Sequence, residues 1–314
     1  MRIKHRSPIA WQSFFPELVL LSLWTGLYAP LLLYWCDGWI NKTISIEHEY
    51  FSHGLLGLPF AGYIAWERRQ SWQKLSNVVK AWEAIVGLAL WLGSLVLYFG
   101  TLPDLVNLSL PIGLMGLCLW LKGWAGLRLQ AFPLLLVFLA TPNQVPYLLA
   151  PYTLPLQQFI AGTAGFLLMQ FGMDIQVEQI YLFVNDRIVE VAPYCAGLKM
   201  LFTSLYVGLI MLYWTGVWRS QVKSTIFIAG IVLISVAANI IRNTLLTYLH
   251  GTKRNVLFHW LHDSWGGDLY SAAMLFFLIL VLRCIEFWNL ESSEIESFGI
   301  ELEQEGSEAS GELL

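Results

Sequence analysis

A thiol, a guanidinium and an imidazole, widely separated along this chain, are the groups whose type and spacing could do chemistry. Cys195 stands in EVAPYCAGLKML (190–201), between a short polar, strand-like segment and the first turn of a long apolar helix. Arg242 stands in ANIIRNTLL, inside an apolar run where a charge costs about 2.5–3.5 kcal/mol on insertion scales and marks a functional or paired site. The following stretch, HGTKRNVLFHWLHDSWGG, carries His250, His259 and His262. A helix N-terminus and a nearby guanidinium both lower a thiol pKa and raise its nucleophilic fraction. A histidine that moves protons would complete a Cys/His arrangement for acyl transfer. Each residue also has a plainer reading. A lone cysteine in an apolar helix is ordinarily a small core residue, an arginine can snorkel to the interface, and a loop histidine can be simply polar. It is their convergence on one face that favours chemistry.

That convergence depends on the elements between them. The chain is 57% apolar and 13% charged, with 15 Trp in 314 residues and a mean hydropathy of +0.59. This composition excludes an ordinary soluble domain and indicates a multi-pass membrane protein. Runs such as AIVGLALWLGSLVLYFGTL and TIFIAGIVLISVAANII approach the roughly 20 residues that cross about 30 Å of hydrocarbon. They are continuous and do not alternate, which predicts helices and not barrel strands. Eight crossings are expected, near 14–35, 53–66, 82–102, 105–121, 128–141, 196–217, 224–246 and 266–288. One span of about 22 residues, a turn and a second span of about 20 match the Cys195-to-Arg242 separation. Both residues, and the histidine stretch after them, then belong at one membrane surface.

The basic residues fix the expected orientation. They cluster at Arg2, Lys4 and Arg6, at Arg68, Arg69, Lys74 and Lys80, at Lys122 and Arg128, and at Arg219 and Lys223. With those segments cytoplasmic, both termini are inside the plasma (inner) membrane and the Cys195 face is extracytoplasmic. PLQQFIAGTAGFLLMQFGM (155–173) would break this scheme as a ninth crossing, so it is expected to be an interfacial or re-entrant helix, in keeping with its glutamines and the prolines before it. Between it and Cys195, residues 174–194 partly alternate around Asn185-Asp186 and predict a small extracytoplasmic β-hairpin. The fold class is therefore an all-α polytopic membrane protein with this hairpin. A single membrane domain is expected over 1–290, followed by a disordered acidic cytoplasmic tail over 291–314. That tail holds eight glutamates and no Lys or Arg, and without it the net charge changes from −4 to +4. The N-terminus has a basic region but no small-residue cleavage site, and reads as an uncleaved first span.

Other chemistry is weakly signalled. Four scattered cysteines give no CxxC spacing and hence no disulfide framework. His259-x-x-His262-Asp263 could ligate a metal, but offers only three ligands. No metal, cofactor or nucleic-acid partner is expected. Two alternatives from other classes are a small-solute transporter with a polar path along Arg242 and the histidines, and a non-catalytic assembly scaffold. No internal repeat of the kind transporters use is evident.

At these residues the sequence resembles the exosortase/archaeosortase family of membrane-embedded cysteine transpeptidases. The resemblance lies in Cys195-Ala196-Gly197 at the start of a helix, Asn239-Ile240-Ile241-Arg242 late in the next, and His262-Asp263-Ser264-Trp265-Gly266 before the last span. Upstream, FSHGLLGLPFAGYIAWERR is similar to the family's Ser-His-Gly…Pro segment, and TPNQVPYLLAPYTLPLQQFIAGTAGFLLMQFGM to its Pro-rich lead, so that the match covers most of 45–288 in order. Ala196 departs from the Ser common at that position. With Pro193-Tyr194 and the acidic tail, it resembles a divergent branch, of which the cyanobacterial one is a candidate. The resemblance implies catalytic roles for Cys195 as nucleophile, Arg242 as oxyanion or substrate clamp, and His262 as acid/base. It makes Asn239, Tyr194, Gly197, His53 and His259 supporting candidates, and leaves open which imidazole is the acid/base. The implied partner is a secreted protein with a C-terminal sorting tail: a Pro-Glu-Pro-type motif, a transmembrane helix and a basic end. The acceptor of the cleaved protein is not specified.

Overall fold

The computed structural model describes residues 11–41, 50–192 and 197–287. The expected acidic tail, Tyr194 and Cys195 lie outside the described residues. Contacts group the chain into two units, Met1–Leu148 and Leu149–Leu314.

Among the described residues, six helices are long and apolar enough to cross a membrane: Val19–Asn41, Ala81–Tyr98, Pro103–Leu129, Leu198–Thr215, Gln221–Gly251 and Trp265–Phe287. In the first unit, α1 spans Trp11–Asn41 and α2 Gly54–Glu67, followed by short α3 over Arg69–Lys74. Next come α4 (Ala81–Tyr98), α5 (Pro103–Leu129) and α6 (Ala131–Ala140). Two expected crossings prove short. At 1.5 Å per residue, α2 with 14 residues is about 21 Å long and α6 with 10 about 15 Å, both less than the hydrocarbon thickness. Apolar composition continued through these segments, but the helices end where Arg68 and Thr141-Pro142 interrupt them.

Packing in this unit follows the membrane pattern in which small residues let backbones approach. A Cβ on Gly116 of α5 would sit 2.6 Å from the Trp91 backbone nitrogen of α4, so only glycine allows this approach. Helix α5 breaks at Gly123 (φ 60°, ψ −156°). There the buried Glu83 carboxylate accepts from the Trp124 backbone N–H at 3.2 Å, satisfying a donor freed by the break.

The second unit holds the polar segment and the last helices. A one-turn helix, α7 (Val145–Leu149), and a 3₁₀ turn lead into α8 (Leu154–Gln170). The segment expected to be interfacial or re-entrant is thus α8, whose 17 residues are absent from the six spans. It buries Ile160, Ala161 and Leu168 against a small sheet through Leu182, Val184 and Val191. The sheet has three antiparallel strands in sequence order, β1 (Ile175–Glu178), β2 (Tyr181–Val184) and β3 (Arg187–Glu190). The expected hairpin corresponds to β2–β3, with Val184 opposite Arg187. Its turn residues Asn185 (φ 45°) and Asp186 (φ 64°) adopt the left-handed pair that a two-residue hairpin of this twist requires. The additional strand, β1, joins through a second tight turn at Gln179 (φ 57°), a residue type that gives no turn signal. Beyond the sheet run α9 (Leu198–Thr215), α10 (Gln221–Gly251), α11 (Asn255–Asp263) and α12 (Trp265–Phe287).

Candidate active site

Helix α10 carries the first part of the site. Residues three and four apart share one helix face, and so Asn239, Arg242 and Asn243 line up along one side. Asn239 and Asn243 are 1% and 4% exposed. The Asn243 side-chain amide donates to the Asn239 carbonyl at 2.9 Å and to its Oδ1 at 3.2 Å, which fixes the Asn239 amide in the packed interior. Asn239 Nδ2 is buried without a hydrogen-bond partner among the described residues.

The second part arrives from the start of α9. Gly197 precedes this helix with φ +80°, a left-handed conformation that L-residues with a side chain adopt only at a cost. A Cβ at Gly197 would lie 2.7 Å from Asn239 Cγ and 2.8 Å from its Nδ2. The glycine two residues after Cys195 therefore packs directly on the asparagine three residues before Arg242. This one contact joins two sequence motifs 42 positions apart. Helix α9 starts at Leu198, slightly later than the expected 196, and the N–H groups of its first turn have no intrahelical partners.

Arg242 is half-buried, its Nε is buried without a hydrogen bond, and no carboxylate pairs with it among the described residues. Its Nη2 lies 3.6 Å from where a Gly267 Cβ would stand, which places the guanidinium at the corner between α11 and α12. The same corner needs glycine at 266, where a Cβ would come within 2.6 Å of the Trp260 carbonyl. His262 sits on the last turn of α11, immediately before that corner. Its ring is half-buried and stacks on Phe258 at 5.3 Å and 10°. Phe258 also contacts His250 at 5.0 Å and His259 at 5.5 Å, so one phenyl ring orders three imidazoles. His259 is exposed, whereas His262 is half-buried.

The sheet is pinned beside this region by Asn185, which donates to the Gly251 carbonyl at 3.2 Å, and by Arg187, which donates to the His250 carbonyl at 3.2 Å and Asn255 Oδ1 at 3.0 Å. The polar segment before Cys195 is thereby anchored to the end of α10 and the start of α11. Two further contributors were not anticipated. The Tyr270 hydroxyl donates to the Ala238 carbonyl at 2.5 Å, tying α12 to α10 next to Asn239, and Gly267 gives Arg242 its space. A tyrosine in an otherwise apolar span was the available signal for the first.

The structure thus brings Gly197, Asn239, Arg242 and the α11–α12 corner after His262 into one neighbourhood. His53 belongs to the first unit, where it is buried and its Nε2 faces the Leu139 carbonyl at 3.2 Å. Among the described residues no three His, Cys, Asp or Glu side chains group so as to hold a metal ion. A guanidinium with no carboxylate partner among the described residues is suited to a group that becomes negative during a reaction. A protein-family model described as transmembrane exosortase matches residues 39–279. No curated protein and no solved structure matches the chain.

Proposed function

Because this chain belongs to the transmembrane exosortase family and is by that membership a membrane-embedded sorting enzyme, we propose that it is a cysteine transpeptidase acting on the C-terminal sorting tails of secreted proteins. The observation that carries the proposal is Arg242: a half-buried cation in an apolar helix, without a carboxylate partner among the described residues, one helical turn after the asparagine on which Gly197 packs. Charges in such positions are retained where they do work.

In this reading the Cys195 thiolate attacks the carbonyl carbon at a Pro-Glu-Pro-type motif. The C=O electron pair moves to oxygen, and the Arg242 guanidinium stabilises the oxyanion. As the C–N bond breaks, His262 delivers a proton to the leaving nitrogen, and the tail departs as an amine with its transmembrane helix and basic end. The remaining thioester is attacked by an acceptor nucleophile, whose proton His262 accepts, and the C–S bond breaks with its electron pair returning to sulfur, which restores the Cys195 thiolate. Asn239 and Gly197 are positioning residues that set the α9 start against α10, and His259 is the alternative imidazole. The basic residues Arg219 and Lys223 flank the turn at the opposite ends of α9 and α10 from this site. By the positive-inside rule that turn is cytoplasmic and the chemistry extracytoplasmic. The same rule puts both termini, including the acidic segment 291–314, in the cytoplasm of a plasma-membrane protein.

Co-expression of the protein with a Pro-Glu-Pro substrate tests this. Cys195→Ala should leave the substrate at full length with its tail attached. Normal trimming by that variant would remove the thiol from the reaction.

A further inference from the structure

The first unit contains a cavity of about 440 Å³ among α1, α2, α5 and α6, within the size range of small-molecule and cofactor sites. Its walls are apolar, including Leu21, Ala61, Leu114 and Leu134, while Trp66, Arg69, Trp72 and Gln130 gather where α2 gives way to α3 and α5 to α6. Two buried polar atoms of wall residues lack hydrogen-bond partners among the described residues. Gln130 is 8% exposed with its Oε1 buried and unbonded, and Trp24 is 3% exposed with its indole N–H likewise unbonded. A buried acceptor such as Gln130 Oε1, beside Arg69 in the wall, is costly to leave unsatisfied.

The charge at the Arg69 end selects the occupant. Residues 67–83 and 122–130 contain Arg68, Arg69, Lys74, Lys80, Lys122 and Arg128 against two acids, Glu67 and Glu83. Glu83 is buried and turned towards the Trp124 N–H. The Arg69 guanidinium lies flat over the Trp66 ring at 4.6 Å and donates to the Trp66 carbonyl at 2.9 Å. It pairs with no carboxylate among the described residues. Tryptophans and basic residues in this combination mark a membrane–water interface, where a basic recess between helices suits an anionic headgroup. A substrate tail with a basic end would be repelled here, and so would the same basic end of a second copy.

We infer that the cavity is a binding site for one anionic glycerophospholipid whose headgroup carries hydroxyls. An acyl chain fills the apolar space, the phosphate meets Arg69, and a headgroup hydroxyl donates to Gln130 Oε1. The inference is independent of the reaction at Cys195.

Native mass spectrometry of the full chain in detergent, titrated with phosphatidylglycerol or phosphatidylcholine, tests it. Gly62 lines the cavity, and a Cβ there meets nothing within 4 Å, so that Gly62→Phe can occupy the space without a backbone clash. Gly93 is equally open but lies outside the cavity, and Gly93→Phe is the control. One phosphatidylglycerol should bind at least ten-fold more tightly than phosphatidylcholine. Gly62→Phe should weaken it ten-fold or more, and Arg69→Gln about five-fold, the worth of one basic residue at an anionic surface, with Gly93→Phe unchanged. Equal affinity for the two lipids, or full retention by Gly62→Phe, would overturn the inference. So would a dimer, or a bound synthetic sorting-tail peptide, that Gly62→Phe alone abolishes.

Discussion

Replacing Gly197 by alanine should damage the protein in two separable ways. The left-handed backbone (φ +80°) costs a residue with a Cβ about 1–2 kcal/mol. The new methyl would stand 2.7 Å from Asn239 Cγ, an overpacking that costs about 1–3 kcal/mol. Together these predict about 2–5 kcal/mol of destabilisation, read by unfolding in detergent micelles. Gly172 is the control, because it has φ +79° with open space around it. Gly172→Ala should show only the backbone part. In the double variant Gly197→Ala/Asn239→Gly the close contacts to Asn239 Cγ, Nδ2 and Cβ all disappear, and a coupling of about 1–3 kcal/mol should be recovered. Because displacing a reacting group by about 1 Å can reduce rate on the order of 100-fold, tail processing by Gly197→Ala should fall by more than its folded fraction does. Wild-type stability and processing in Gly197→Ala, or no recovery in the double variant, would refute the account of how α9 is seated on α10.

Two further outcomes follow from the same neighbourhood. Removing an oxyanion donor typically costs about 10²–10³ in turnover, so Arg242→Gln should lose that much while Arg242→Lys retains part of it, measured as the rate of tail release with expression held equal. His262→Ala should depress turnover far more than His259→Ala, measured as the rate of tail release; equal effects would deny His262 its role as the acid/base.

The sequence was most informative where physics is local. Helix positions followed from apolar runs, the β2–β3 turn from Asn185-Asp186, and the shared face of Asn239 and Arg242 from helical spacing. Helix length was less legible. Residues 53–66 and 128–141 are apolar enough to suggest crossings, yet form helices of 14 and 10 residues, because composition does not report where a backbone changes direction. Strand β1 was missed because Gln179 takes a left-handed turn conformation that its residue type does not announce. Within the candidate site, the sequence suggested Cys195, Arg242 and His262 as a set, but not the means of assembly. The Gly197–Asn239 packing, the Tyr270–Ala238 hydrogen bond and the Gly267 space beside Arg242 are long-range contacts that no local pattern encodes.

The central claim is that the Cys195 sulfur forms a covalent bond to the sorted protein. Intact-mass and peptide mass spectrometry of the enzyme, trapped during turnover with a Pro-Glu-Pro substrate, reads that bond directly. A hydroxylamine-labile acyl adduct is expected on the peptide containing Cys195, absent from Cys195→Ala. Continued processing with no such adduct, or an adduct carried by another residue, would contradict it.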